Sequence, residues 1–247
     1  MASNERTVIA FDLYGTLLST DSIAQELGRQ FGQEKAAAIA ATWRKHQLEY
    51  TWRLNSMEDY LPFSSVTQRS LRHALSENGV PPPPEAAVAS LMSAYDSLST
   101  FPDVAPALEP LSKVSSVTPV VFSNGTDQMV GNSVHRSPDL SPYSDVFQDI
   151  VTVEQVKKFK PHPVVYYHLA TKVGKSKEQM NDMWLVSGNP FDVVGAKAVG
   201  MKACWVDRGD QGWSDGLVEG EMGAPDFIGK TLGQIVQAIL KSSKTEG

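Results

Sequence analysis

Thr7-Val8-Ile9-Ala10-Phe11-Asp12-Leu13-Tyr14-Gly15-Thr16 decides how this chain folds. Residues 7–11 form a continuous apolar run that stops at a carboxylate, and a glycine turn follows. An unbroken run, rather than alternation, marks a strand buried on both faces, as in a parallel sheet covered by helices. Comparable runs recur at 117–122, 149–153, 183–186 and 202–206. Three of them end in polar clusters: Ser123-Asn124-Gly125, Ser187-Gly188-Asn189 and Asp207-Arg208-Gly209. Helical patterns are predicted between the later runs, at 127–136, 161–173 and 191–199. The alternation predicts an α/β fold with a doubly wound, Rossmann-like parallel sheet. Polar residues at successive strand ends suit it, because ligands bind beyond the carboxyl ends of such strands.

Between 20 and 98 the pattern changes. No strand is predicted there, and 21–31, 34–54, 66–78 and 85–98 take helical period and composition. Ile23, Leu27 and Phe31 recur at four-residue spacing. Pro81 to Pro84 is expected to be a rigid loop between two helices. A helical cap, 20–98, therefore interrupts a core of 1–19 and 99–240 just after its first strand. Residues 241–247 are expected to form a disordered tail.

The bulk numbers narrow the function. The 247 residues carry 22 basic and 28 acidic side chains, net −6, with no basic block. That argues against a nucleic-acid or anionic-membrane surface while leaving a small anionic substrate open. Cys204 is the single cysteine, so no intrachain disulfide forms, and its apolar strand context predicts a packed, inert thiol. The apolar run after the N-terminus is too short for a signal-peptide core or a membrane span, and a cytoplasmic protein is expected. The histidines His46, His73, His135, His162 and His168 show no metal-ligand spacing and read as surface or satisfied groups.

Four short elements can carry chemistry, and each has a plainer reading. Asp12 at a strand end faces a cleft or caps a turn. Ser123 and Asn124 can donate hydrogen bonds to an anion or simply close a turn. Of Lys157, Lys158 and Lys160, a solvated surface is the plain reading. Lys160 differs because Pro161 sits at an expected helix start. Asp192 falls in the first turn of a helix opened by Pro190, where the dipole favours a carboxylate in any case. Together, in this order and each at a strand end, the four elements are specific.

In that combination the chain resembles the haloacid dehalogenase superfamily, from about Thr7 to Arg208. Its motifs are a nucleophilic Asp, a Ser or Thr, a Lys and a terminal acidic site. The opening Phe11-Asp12-Leu13-Tyr14-Gly15-Thr16, the insert helix Trp43-Arg44-Lys45-His46-Gln47-Leu48-Glu49-Tyr50-Thr51-Trp52 and Ser187-Gly188-Asn189-Pro190-Phe191-Asp192 are most similar to the L-2-haloacid dehalogenases. The magnesium-dependent phosphatases of the superfamily carry a second Asp two residues after the nucleophile, which protonates the leaving alkoxide. Tyr14 stands there, and a phenol with a pKa near ~10 is a poor acid at neutral pH. Their metal site, Gly-Asp-x-x-x-Asp, has Gly188 in place of its first acid, so a hard oxygen ligand is missing. No metal and no cofactor are expected.

The resemblance implies roles. Asp12 is the nucleophile that displaces halide from a short L-2-haloacid and forms an ester, and a neighbouring Lys160 favours its charged form. Arg44 and Asn124 hold the halide, and Phe63 lines the pocket. Ser123 and the backbone around Leu13 and Tyr14 hold the substrate carboxylate. Asp192 is the base for ester hydrolysis, placed by Ser187 and Asn189. Thr16 and Tyr166 support the polar network, while Tyr14, Leu48 and Phe191 form apolar walls, although ordinary core is equally consistent for Leu48, Phe63 and Phe191. Gly188, Pro190, Phe191 and His162 depart from the subfamily pattern and bear on pocket shape. A phosphatase or phosphonate hydrolase of the same fold is the nearest rival, and a non-catalytic binding protein is a second. A homodimer is implied, with Trp43 to Trp52 as a contact surface or, equally, internal core.

Overall fold

The computed structural model describes residues 6–245. In chain order its main elements are β1 (Thr7–Phe11), α1 (Asp21–Phe31), α2 (Gln33–Ser56), α3 (Phe63–Glu77), α4 (Glu85–Tyr95), α5 (Val104–Leu108), β2 (Val117–Ser123), α6 (Asp127–Arg136), β3 (Asp149–Thr152), α7 (Pro163–Lys172), β4 (Met183–Ser187), α8 (Pro190–Ala198), β5 (Lys202–Val206), β6 (Phe227–Gly229) and α9 (Leu232–Thr245). The strands form one sheet in the order β3-β2-β1-β4-β5-β6, and every neighbouring pair is parallel. This is the doubly wound order whose direction reverses beside β1, where a ligand crevice forms.

Register explains why the polar strand ends meet. Phe11 lies opposite Val121 of β2 and Val186 of β4, so Asp12 emerges between Phe122 and Ser187. Val8, Ile9, Ala10 and Phe11 are buried. Fully burying a side chain of the size of Ile9 or Phe11 stabilises by about 1.5–3 kcal/mol, which anchors the strand end from which Asp12 projects. Cys204 lies inside β5, where burial pushes its thiol far up, as an inert packing role requires.

α1 to α4 form the helical insert, with α2 packed on α1 and α3 and α4 on α1. Trp43 is interior: it is buried, donates from Nε1 to the Thr67 carbonyl at 2.8 Å and packs on Tyr95 at 5.4 Å. Trp52, at the other end of the same stretch, is 41% exposed. Pro81 to Pro84 forms the expected loop between α3 and α4.

Some boundaries differ from expectation. α3 begins at Phe63 rather than 66, and α7 begins at Pro163 rather than Pro161. Pro161 stands outside the helix, joined to Lys160 by a cis peptide bond. His162 is the N-cap, its Nδ1 accepting from the Val164 amide at 3.3 Å. A ring nitrogen thus does the capping work that a carboxylate performs at this position. The residues expected to form a tail continue α9 as far as Thr245, because Ile235, Val236 and Ile239 bury one face of that helix; residues 246 and 247 lie outside the described residues. Among the described residues no helix is long and apolar enough to cross a membrane.

Candidate active site

Asp12 is 6% exposed and every oxygen of its carboxylate is engaged. Oδ1 accepts from Lys160 Nζ at 3.1 Å. Oδ2 accepts from Thr16 Oγ1 at 2.7 Å and from Asn189 Nδ2 at 2.8 Å. Gly15, at φ 86°, supplies the left-handed residue that turns the chain so that Thr16 faces back onto the aspartate. Thr16 Oγ1 in turn accepts from the Gly188 amide at 2.9 Å, which ties the turn to the end of β4.

Lys160 is buried at 1% exposure, and its three ammonium protons have three acceptors: Asp12 Oδ1, Asp192 Oδ2 at 2.8 Å and the Phe122 carbonyl at 2.8 Å. A buried charge persists only when paired and hydrogen-bonded in this way. The ammonium also sits 4.0 Å from the Phe122 ring centroid. Asp192 is fully buried, and burial pushes its carboxyl up to about 6; Asp12 adds to the rise, while Lys160 and the Tyr166 hydroxyl oppose it. Tyr166 donates to Asp192 Oδ1 at 2.8 Å. Gly195 makes room for that contact, since a Cβ there would lie 2.3 Å from the Tyr166 hydroxyl.

The support of Asp192 differs from expectation. Its side chain is held by Lys160 and Tyr166, not by Ser187 and Asn189. Asn189 meets it through the backbone alone, its carbonyl accepting from the Asp192 amide at 3.1 Å. The Asn189 side chain instead serves Asp12 and the Tyr14 carbonyl, and Ser187 Oγ accepts from the Asn189 amide at 3.0 Å. The Asn189 side chain is committed to Asp12 and the Tyr14 carbonyl, while the Asp192 carboxylate turns to Lys160 and Tyr166.

Ser123 and Asn124 close the other side. Ser123 Oγ accepts from the Gly125 amide at 3.1 Å, which leaves its own proton to give. Asn124 Oδ1 accepts from the Lys160 amide at 2.9 Å, which turns its NH2 the other way. Among the described residues, Leu13 and Tyr14 donate their amides to no other backbone group. The Tyr14 ring is buried and stacks on Phe63 at 5.9 Å, forming an apolar wall. Burial pushes its hydroxyl well above the ordinary phenol value. Leu48 is half-buried one turn beyond Arg44 on α2. Phe191 faces outward: it packs edge-on against Trp52 at 5.6 Å and borders a largely apolar cavity of 540 Å³ with Trp52, Pro161 and Leu217.

Arg44 reaches the site from α2. Its NH2 donates to Asn189 Oδ1 at 3.0 Å and more weakly to the Tyr14 carbonyl at 3.4 Å, while NH1 donates to Gln47 Oε1 at 2.8 Å. All three acceptors are neutral amide or carbonyl oxygens, so none of them forms an ion pair with the guanidinium. Gln47 was not singled out by the sequence. It is 1% exposed, accepts from the Tyr95 hydroxyl at 3.1 Å as well as from Arg44, and donates to Thr67 Oγ1 at 2.8 Å. Its position one turn after Arg44, where helix side chains meet, is the only sequence signal it offers. Arg208 was also missed: it pairs with Asp103 at 3.0 Å and donates to the Thr16 carbonyl at 2.9 Å, holding the turn below Asp12.

Known proteins match this chain along almost its whole length. Residues 7–200 match the family model described as haloacid dehalogenase-like hydrolase. The chain is 32% identical to haloacetate dehalogenase H-2 of Moraxella sp. (strain B), covering 94% of this chain and 96% of that one. It is 33% identical to (S)-2-haloacid dehalogenase H-109 of Pseudomonas putida, over 94% and 97%. The L-2-haloacid dehalogenase structure from Xanthobacter autotrophicus superposes with a TM-score of 0.80 at 28% identity, over 95% and 98%. The same holds for that enzyme with chloropropionic acid covalently bound. With the four motifs meeting at one crevice and these matches spanning the core and the insert, the chain belongs to the haloacid dehalogenase-like hydrolase family.

Proposed function

We propose that this protein hydrolyses the carbon–halogen bond of short L-2-haloacids, giving D-2-hydroxyacids and halide without a metal. The observation that carries the reading is Arg44: a guanidinium held by neutral acceptors, beside a buried aspartate, with Tyr14 where a phosphatase needs an acid. Halides are weak bases and leave without a proton, so a site lacking that acid suits them. The names of the relatives agree, and a covalently bound chloropropionic acid in one neighbour fits an ester intermediate.

The site does not fit magnesium. The phosphatase pattern needs a carboxylate at Gly188, where a Cβ would lie 2.4 Å from the Gly15 carbonyl oxygen. The two carboxylates that remain, Asp12 and Asp192, are already bridged by Lys160.

In the first step an Asp12 oxygen forms a bond to Cα from the side opposite the halogen. The carbon–halogen bond breaks, its electron pair leaves on the halide, and the centre inverts. The guanidinium of Arg44 and the NH2 of Asn124 meet the developing negative charge. The Ser123 hydroxyl and the amides of Leu13 and Tyr14 hold the substrate carboxylate, with Phe63, Leu48 and Tyr14 as apolar walls. In the second step water attacks Cγ of the Asp12 ester, not Cα. Asp192 accepts the water proton, the Cγ–O bond to the substrate breaks, and the proton passes to the departing hydroxyacid oxygen. Lys160 bridges both carboxylates and stabilises the oxyanion at Cγ. Thr16 and Asn189 orient Asp12. The insert, 20–98, acts as a cap that brings Arg44 over the core, 1–19 and 99–240, and excludes bulk water.

The test uses chelator-treated enzyme with each enantiomer of 2-chloropropionate, following chloride release. Release from the L form alone is expected, with labelled water oxygen appearing in a peptide containing Asp12. Hydrolysis of an aryl phosphate with magnesium, and no chloride release, would replace the reading with a phosphatase; neither activity and no label would leave a binding protein.

A further inference from the structure

We infer that the insert carries a surface site for a borderline divalent cation such as Zn²⁺, formed by His46 of α2 with His73 and Glu77 of α3. One ligand atom from each lies within 4.8 Å of the other two. His73 and Glu77 are four residues apart on one helix, so both project from the same face of α3. His46 meets them from the facing helix, where α2 packs on α3. The two imidazoles are stacked, with centroids 3.8 Å apart and planes at 16°, so the exposed His73 ring turns about its side-chain bonds to aim both lone pairs at one ion.

The groups behind the rings support the assignment. His46 Nδ1 lies 3.3 Å from Glu49 Oε2, and His73 Nδ1 lies 3.0 Å from the Tyr50 hydroxyl. In metal sites the ring nitrogen remote from the metal is held by a carboxylate or another polar group, which fixes tautomer and ring orientation. Here His46 Nδ1 is held by Glu49, which leaves His46 Nε2 as a ligand nitrogen. His46 Nε2 already lies 2.6 Å from Glu77 Oε2, a contact made by a shared proton. A cation takes the place of that proton, and Glu77, exposed on a flexible side chain, withdraws slightly to give ligand distances of about 2.0–2.2 Å. Two imidazoles and one carboxylate select Zn²⁺, Ni²⁺ or Cu²⁺ over Mg²⁺. Water completes the coordination on the exposed side. The pattern was hidden in the sequence because its members come from two helices.

The site would staple α2 to α3, the helices that carry Arg44 and Phe63. It is separate from the Asp12 crevice, and its test does not depend on the reaction. Tag-free, chelator-dialysed protein is titrated with ZnCl2 by calorimetry and by thermal melting, alongside H73Q and E77Q. The wild type is expected to bind one Zn²⁺ per chain with micromolar affinity, and MgCl2 to give no signal. At a hundredfold excess over Kd, the melting temperature rises by roughly 5–10 °C. H73Q and E77Q, both at exposed positions, keep the wild-type circular dichroism spectrum and lose at least tenfold in affinity. Absence of saturable binding below 100 μM, on the order of the weakest useful site, overturns the assignment. So does equal binding by H73Q, which would move the metal to other residues.

Discussion

Replacing Gln47 by Leu should cripple turnover without touching any group that meets the substrate. Gln47 is buried and supplies the acceptor for Arg44 NH1 at 2.8 Å. Leu preserves approximate volume but offers no acceptor. A hydrogen bond to a charged group contributes about 1.5–3 kcal/mol, and leaving a buried donor unpaired costs a comparable amount. If Arg44 meets the departing halide only in the transition state, that loss falls on kcat. At about 1.4 kcal/mol per decade it corresponds to roughly a ten- to hundredfold decrease. KM should change little, because the proposed carboxylate site is formed by Ser123 and the amides of Leu13 and Tyr14. The effect should be larger for 2-chloropropionate than for 2-bromopropionate, since the poorer leaving group draws more on the cation. Steady-state halide release on both L substrates, with a thermal melt as control, measures this. A variant that loses stability but keeps its chloride kcat would refute the role of Gln47 as the positioning residue for Arg44. A change confined to KM would move Arg44 from the halide to the carboxylate.

Turnover should fall about tenfold per pH unit below pH ~6, because Asp192, pushed up to about 6 chiefly by burial, must be ionised to accept the water proton. Tyr166→Phe removes a hydroxyl that favours the ionised form, so the acid limb of the pH–rate profile should move to higher pH; an unmoved limb would separate Tyr166 from the base. Gly188→Asp restores the phosphatase residue but drives its Cβ against the Gly15 carbonyl oxygen, and overpacking of this kind costs about 1–3 kcal/mol. A lower melting temperature and no magnesium-dependent phosphatase activity are expected. An undiminished melt with new phosphate hydrolysis would show that the turn can make room.

Sequence legibility followed burial. Strands covered on both faces leave unbroken apolar runs, so β1, β2, β4 and β5 and the polar groups at their ends stood out, and the order of the motifs followed. β6 spans only three residues at the sheet edge, with two of them exposed, and gave no run to read. The site was legible where a residue type is chemically distinctive, as at Asp12, Lys160 and Asp192. It was opaque where geometry assigns the partner. Whether Asn189 serves Asp12 or Asp192 depends on which way its side chain turns at the start of α8, and Gln47 differs from any buried helical glutamine only by the arginine one turn away. His46 and His73 illustrate the same limit, since their contact exists only once α2 lies on α3.

The insert meets the core through Asn55, whose side-chain amide donates to the Phe159 carbonyl at 2.7 Å and accepts from the Phe159 amide at 2.9 Å. Phe159 also packs on Tyr60 and Phe63, and it is the residue immediately before Lys160. The lid is therefore latched at the backbone of the residue adjoining the ammonium. Swinging it wide would break these two hydrogen bonds, each worth about 0.5–1.5 kcal/mol, at the backbone beside the lysine that bridges both carboxylates. A fastening so close to the charged centre couples the angle of the insert to the backbone that carries Lys160, so loosening Asn55 should be felt at both ends.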